Sequence, residues 1–464
     1  MNERKSRTRP AAAGLSVVLA VALAFSAAAQ DVREPVKKAV TLEECVEMGL
    51  RTSKALHASE ARVEASTARS KEVNASRLPS LKLSGGYTRL SEVPPFEVRL
   101  PFPTGFPVPS TFVVSPSYFD NYSVRLGLQQ PLFTGFRIQS GAAMARLGAQ
   151  AAEQDLSGDR NQVVFAVKNA YWNLFKAGEF KKVVDEIAVQ VEAHLADVRN
   201  FFEQGLLTRN EVLKVEVQLS NVKLARLDAA NSVEMAAVWL NSLIGAPLDD
   251  PIEPAATTGE LEAGARKIPG EWSDLDGLVN KALGGRPELR AMDLRVKAGE
   301  AGVTFARSGW YPQVTLTGNF YDLRPNPRLM PAKDKFTSTW DLGISVSMDL
   351  WNWNATLRQT QQAKAQLAQA MDGLGQLKDA AAVEVRQSWL TLKSAMEKIG
   401  VARDAVAQAE ENLRVTNERF KEGVALNSDV LDAETALLQA KTGHTQSLVD
   451  LELAKARLAK VIGE

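Results

Sequence analysis

The sequence predicts a mainly α-helical fold with a smaller β part, in which one long helical hairpin is built twice. Three observations carry this. The stretch RFKEGVALNSDVLD, from Arg419 to Asp432, has a twin in FFEQGLLTRNEVL, from Phe201 to Leu213, and Gly423 lies 218 positions after Gly205. The match runs on without a gap: Leu437 pairs with Leu219, Leu458 with Leu240, and Ile462-Gly463 with Ile244-Gly245. Self-similarity at a fixed period marks a chain assembled from repeated units. The second observation is a proline-free run from about Phe136 to Phe202 with helical periodicity. The third is four segments in which apolar and polar residues alternate, the period of a half-buried strand.

Size and composition set bounds. At 464 residues the chain exceeds the usual single domain of about 100–200 residues. The 55 basic and 55 acidic residues balance, which argues against a polybasic nucleic-acid binder. One cysteine, Cys45, rules out an intrachain disulfide. With only His57, His194 and His444 scattered along the chain, neither a zinc cluster nor a Cys/His catalytic pair is expected, and no cofactor is.

The N-terminus carries Arg4, Lys5, Arg7 and Arg9, then an apolar run from Gly14 to Phe25, then small residues at 26–29. That order is a secretory signal peptide, assigned to residues 1–29. The run is shorter than the roughly 20 residues of a spanning helix. Cleavage near Ala29 leaves 51 basic and 54 acidic residues, a net charge of −3. No cysteine closely follows the apolar run, so no lipid anchor is indicated.

The first repeat is placed at 30–245. Thr41-Leu-Glu-Glu44 resembles a capping box opening a helix that runs to about Arg77, with a break near Thr52-Ser53, and Leu78-Pro79 stops it. A β-hairpin follows at about 80–133: Leu81, Leu83 and Tyr87 alternate with polar residues, as do Tyr122, Val124, Leu126 and Leu128. The loop between, about 92–117, holds seven prolines and cannot be a central strand. A coiled-coil hairpin then fills about 136–245. Its outgoing helix of roughly 65 residues spans on the order of 100 Å. Gly205 ends that helix, and Thr208-Arg-Asn-Glu211 reads as a second capping box. In the return helix Val212, Val215, Leu219, Val222, Arg226, Ala229, Val233, Ala236, Leu240 and Leu243 step alternately by three and four, the repeat of a left-handed supercoil. Arg226 and its twin, His444, are polar seam positions beside a packing edge or a wet lumen.

Residues 246–273, rich in proline, glycine and charge, read as the connector between copies. The second repeat occupies 274–464, with a β-hairpin at about 312–352 and a coiled-coil hairpin at about 355–462. Trp310-Tyr-Pro312 matches Arg77-Leu-Pro79 at an offset of 233, so the extra 15 residues of the first copy fall inside its hairpin loop.

Strands of about 10 residues suit a tilted membrane-spanning strand. Trp310, Tyr311, Trp351 and Trp353 cluster at the helical end of the second hairpin, as a membrane-interface girdle would, with Phe133 and Phe136 at the equivalent end of the first. Four strands cannot close a barrel, and an open sheet cannot sit in lipid. The chain must therefore oligomerise, and three copies supply twelve strands. A soluble sheet packed on helices is the alternative to a barrel.

The chain resembles the TolC family of outer-membrane efflux proteins. The likeness covers about residues 40 to 463. It rests on the duplication, on TLEECVEMGL, on the strand entries RLPSLKLSGGY and WYPQVTLTGNF, on the strand exits QQPLFTGF and MDLWNWN, and on the two helical turns. It implies a homotrimer with a twelve-stranded barrel in the outer membrane of a Gram-negative bacterium. It also implies a twelve-helix periplasmic tunnel and an equatorial region made from connector and termini. The function it implies is a passive exit duct of a tripartite efflux pump for drugs, small toxic compounds or metals. An exit duct for type I protein secretion is the alternative, and a pore-less soluble periplasmic coiled-coil scaffold is the alternative of another class.

No catalytic constellation is visible, and no P-loop supplies energy, so an enzyme is not expected. Asp429 and Asp432 match, by their spacing after Gly423, the family's acidic residues that ring the tunnel entrance. Six such carboxylates in a trimer would favour cations in transit. Asp429 also stands in a first helical turn, where a carboxylate is stabilised without any ring. Gly205-Leu206-Leu207-Thr208 and Gly423-Val424-Ala425-Leu426 resemble the tips that meet a periplasmic adaptor serving an inner-membrane pump, although simple turn packing also accounts for them. Phe420 and Ala425 stand where the family pattern has tyrosine and arginine, so a polar latch cannot be carried over and closure must use other contacts.

Overall fold

The computed structural model describes residues 38–99, 111–115, 117–265 and 270–464. The signal-peptide assignment at 1–29 lies outside them. In chain order the elements are β1 (Lys38–Val40), α1 (Leu42–Thr52), α2 (Lys54–Ala75), β2 (Ser80–Arg89), β3 (Phe96–Arg99), β4 (Thr111–Ser115), β5 (Asp120–Phe133), α3 (Arg137–Glu203) and α4 (Arg209–Ile244). Then come β6 (Ile252–Pro254), α5 (Thr258–Ala265), α6 (Leu275–Gly285), α7 (Pro287–Arg307), β7 (Gln313–Arg324), β8 (Thr337–Ser347), α8 (Ala355–Lys421) and α9 (Asn427–Ile462).

The duplication is visible in the helix lengths. Helices α3 and α8 have 67 residues each, and α4 and α9 have 36 each. It persists in the backbone where strand turns into helix. Gly135 and Phe136 are both left-handed, and so are their twins 218 positions on, Trp353 and Asn354. A left-handed residue of any type but glycine costs energy, so three non-glycine residues held this way mark turns fixed by the packing around them. At Gly135 a Cβ would meet the Ser308 carbonyl at 2.6 Å and Tyr311 at 2.7 Å, so only glycine fits.

Local chemistry explains the helix ends. Thr41 and Glu44 form the reciprocal capping box on α1, with backbone-to-side-chain distances of 3.0 and 3.2 Å. Ser53 breaks the first helix and caps α2. The second capping box does not form. Thr208 makes no side-chain cap on α4, and the Glu211 carboxylate is held by Lys214 and Asn427 instead of reaching back to the Thr208 N–H.

The main sheet runs in the order β2-β5-β7-β8, antiparallel throughout. Its register puts Leu83, Leu126 and Phe320 opposite one another, with Trp340 next to Phe320. That face is apolar and exposed, and the opposite face carries Ser84, Arg125, Tyr321 and Thr339. Among its described residues the proline-rich loop contributes a separate two-stranded sheet, β3 with β4, and no strand of the main sheet. Residues 100–110 of that loop lie outside the described residues.

The long helices extend away from one end of the sheet. Helix α3 packs on α4 and on α9, α8 packs on α9, and α2 and α7 complete the bundle nearer the sheet. One apolar core lies in the tip half and joins Val191 and Val198 of α3, Val215 of α4, Phe420 of α8 and Val430 of α9. Another sits at mid-height around Val167, Tyr171, Leu240 and Leu448. The described part of the connector holds regular structure. Strand β6 pairs in parallel with β1, α5 follows, and the Tyr171 hydroxyl donates to the Val40 carbonyl at 3.3 Å. In the α4 seam Val215, Ala229 and Leu240 are fully buried, and Arg226 reaches out to Asp185 of α3 at 2.7 Å.

Candidate functional site at the helical tips

Each tip closes on a glycine in the left-handed region, Gly205 at φ 77° and Gly423 at φ 75°. Nothing lies within 4 Å of the Cβ either would carry, so the backbone conformation alone requires glycine. The two tips stand side by side around a cleft of about 630 Å³. Leu206, Leu207, Thr208, Gly423, Ala425 and Leu426 line it, whereas Gly205 and Val424 do not. Leu207 and Ala425 pack against the tip core, while Leu206, Val424 and Leu426 are about two-thirds exposed, at 67%, 64% and 69%.

A polar clasp joins the tips. Asn427, at the start of α9, is buried. Its Nδ2 donates to the Glu211 carboxylate at 3.0 Å and to the Glu211 carbonyl at 3.2 Å. Its Oδ1 lies 2.7 Å from Nε2 of His194 on α3. Since the amide nitrogen is committed to Glu211, the oxygen must accept, and His194 donates from Nε2. Lys214 completes the chain with a 2.8 Å bond to Glu211. The Lys214 ammonium first, and Asn427 second, hold the Glu211 carboxyl below its ordinary range. Burial pulls His194 below the usual imidazole value, so it is neutral at pH 7. Phe420 seals the clasp, with its ring 5.0 Å from His194 and 5.7 Å from Phe201.

Asp429 and Asp432 are both exposed on α9. Asp429 accepts the Leu426 backbone N–H at 3.0 Å and so also caps its helix. The repeat makes the pair distinctive. At the twin positions α4 carries Glu211 and Lys214, which neutralise each other. One tip is balanced and the other is doubly acidic.

Glu434, one turn and a half further along α9, was not anticipated. It is 2% exposed, its Oε2 has no hydrogen-bond partner, and burial pushes its carboxyl up to about 7. Its twin, Glu216, bonds to Arg199 at 2.7 Å, but at the twin of Arg199 this chain has Asn417. Comparison of the two copies in the sequence was the signal that could have found it.

At the opposite end Phe133, Phe136 and Tyr311 stack edge to face, and Trp351 meets Trp353 with ring centroids 5.8 Å apart. Trp310, Tyr311, Trp351 and Trp353 are all exposed. His444 is largely buried, with its Nε2 3.4 Å from the half-exposed Glu262 carboxylate and no hydrogen-bond partner. Among the described residues no group of His, Cys, Asp and Glu could hold a metal, and no helix is long and apolar enough to cross a membrane.

The family model for outer membrane efflux proteins matches residues 46–246 and 278–464. The chain belongs to that family. The two matched blocks are separated by residues 247–277. Outer membrane efflux protein BepC of Brucella suis is 23% identical over 342 residues, covering 74% of this chain and 72% of that protein. The alkaline protease secretion protein AprF of Pseudomonas aeruginosa is 26% identical over 359 residues, covering 73% and 69%. The crystal structure of outer membrane protein VceC from Vibrio cholerae superposes with a TM-score of 0.76 at 20% identity, over 91% of this chain and 96% of that one. This efflux protein is thus an outer-membrane channel component with a helical tunnel fold.

Proposed function

We propose that three copies of this chain form a twelve-stranded barrel in the outer membrane, continued by a helical tunnel that narrows at the tips. The observation that carries this is the main sheet. Among the described residues strands β2 and β8 have unpaired edges, and Leu83, Ile344 and Trp340 expose 66–71% of their surface on its apolar face. Such a sheet is tolerable only closed on itself in lipid. A second unpartnered stripe on α4 (Leu213, Val217, Leu224, Leu227, Met235 and Trp239) supports the same assembly, because a neighbouring copy would cover it.

The duct does no chemistry and has no energy source of its own. Asp429 and Asp432 ring the entrance, the clasp holds it narrow, and Trp310, Tyr311, Trp351 and Trp353 sit at the membrane interface. The cleft between the tips, with its exposed Leu206, Val424 and Leu426, receives a periplasmic adaptor hairpin that links the duct to an inner-membrane pump. Small-molecule efflux is the primary reading. Protein export is the second, favoured by the likeness to the secretion protein AprF. The test is mass measurement of the mature protein extracted from membranes in detergent. Three chains per particle supports the duct, and a monomer soluble without detergent contradicts it.

A further inference from the structure

The polar face of the sheet is not neutral. Across its four strands the register aligns Lys82, Gly127, Asn319 and Asp341 in one row, and Ser84, Arg125, Tyr321 and Thr339 in the next. Gly127 leaves room beside Asn319, and Arg125 turns into it, with Nε and Nη2 donating to Asn319 Oδ1 at 3.0 and 2.8 Å. That acceptor carries no charge. No carboxylate pairs directly with Arg125 among the described residues; Asn319, whose Nδ2 donates to Asp341 at 2.7 Å, stands between the two charges.

The loop between β7 and β8 folds down over this same face. Thr339 and Asp341 point to it, since Trp340 between them belongs to the apolar face. Asn326, 1% exposed, donates to the Thr337 carbonyl at 2.8 Å and to Thr339 Oγ1 at 3.3 Å. Its Oδ1 accepts the Arg328 backbone N–H at 3.0 Å. Arg328 then reaches Asp341 at 2.7 Å and the Trp340 carbonyl at 3.0 Å. The guanidinium carbons of Arg125 and Arg328 lie 5.5 and 5.4 Å from the centre of one ring, Tyr321. Two cations are therefore gathered on one aromatic side chain, with a third, Lys82, on the same face and Asp341 as the single carboxylate of that face among the described strand residues.

We propose that Arg125 and Arg328, positioned by Tyr321, Asn319 and Asp341, form a basic collar inside the outer end of the barrel that favours anionic solutes on their way out. This rests on the trimeric-barrel reading, in which the polar face lines the lumen and three such clusters share one aperture. An arginine fork suits carboxylate, sulfate or phosphate groups. The collar opposes in sign the acidic residues at the far end of the same duct, so each end screens solutes by a different charge.

The experiment is the reversal potential in planar bilayers under a potassium chloride gradient. It compares the wild type with the pair Arg125→Gln and Arg328→Gln, and with the pair Arg125→Lys and Arg328→Lys. The expected result is a chloride-to-potassium permeability ratio at least about twofold lower in the glutamine pair, with the lysine pair restoring it. The open current itself reports that each variant has folded. If the glutamine pair gives none, Arg125→Gln alone, which leaves the Arg328–Asp341 bridge intact, is expected to move the ratio in the same direction. An unchanged ratio in an open glutamine channel overturns the collar, and so does a lysine pair that behaves like the glutamine pair. A wild type that carries no current overturns the barrel reading instead, and the collar with it.

Discussion

Asn427 on the second tip donates to Glu211 on the first, with Nδ2 3.0 Å from the carboxylate. The bond joins the two repeats at their far ends, next to the exposed acids Asp429 and Asp432. Together with the His194 contact it ties α3, α4 and α9 into one unit. Separating the tips requires breaking it.

Asn427→Ala removes the clasp and leaves the His194 donor buried without a partner. An unmade buried hydrogen bond costs about 1–3 kcal/mol. The tips are then freer to part, and single-channel recordings are expected to show a larger mean conductance than the wild type. A conductance equal to the wild type would mean that the clasp does not restrain the aperture.

Acid is expected to loosen the same clasp. The folded state lowers the pKa of His194, so its contribution to stability is complete above the ordinary imidazole value, about 6.5. It is lost as pH falls through the lower, folded value. The charged groups facing the clasp are Asp197, Glu211 and Lys214. Conductance recorded between about pH 7 and pH 5 should rise in the wild type. His194→Gln keeps an amide donor toward Asn427 and should flatten that response, and a variant that retains it would place the titration elsewhere.

Glu434 has the opposite sign. Its folded pKa is raised to about 7, so the stability it allows is complete below the ordinary glutamate range and is lost as pH rises through 7. Glu434→Gln should therefore raise the thermal midpoint at pH 8, by an amount equivalent to roughly 3 kcal/mol, and leave it unchanged near pH 4. Circular dichroism melts at the two pH values decide this. Equal midpoints at pH 8 would show that the carboxylate finds a partner in the assembled protein.

Phe420 is 5% exposed and contacts both His194 and Phe201. Phe420→Ala is expected to cost about 3–4 kcal/mol in denaturant unfolding of the tip half. Leu426→Ala, on the exposed surface six residues away, should fall within about 0.5 kcal/mol. Similar losses at both positions would contradict the packing assigned to the tip.

The parts of the fold that were legible in the sequence are those with a period. Equal offsets on both sides of Gly205 and Gly423 imply matched helices, and the structure has pairs of 67 and 36 residues. Alternation marked all four strands of the main sheet. What was not legible depends on contacts with no local signature. Asn427 meets partners 216 and 233 positions away, and one asparagine after a turn looks like any other helix start. Strands β1 and β6 have three residues each, too few to show alternation. The capping box read at Thr208–Glu211 failed for a related reason, since its glutamate is drawn to Lys214 and Asn427. The inward fold of Arg328 depends on Asn326 and Asp341, which loop composition does not reveal.

The acidic entrance is tested most directly by ion selectivity in planar bilayers, wild type against Asp429→Asn with Asp432→Asn. Asparagine keeps the acceptor that caps α9, so only charge is removed. In a trimer the change takes away six carboxylates near one axis. The expected result is a wild type that conducts in discrete steps and a variant whose potassium-to-chloride permeability ratio falls severalfold, with helicity unchanged. A channel whose ratio stays at the wild-type value, or a wild type that conducts no ions at all, would contradict a duct closed by these tips.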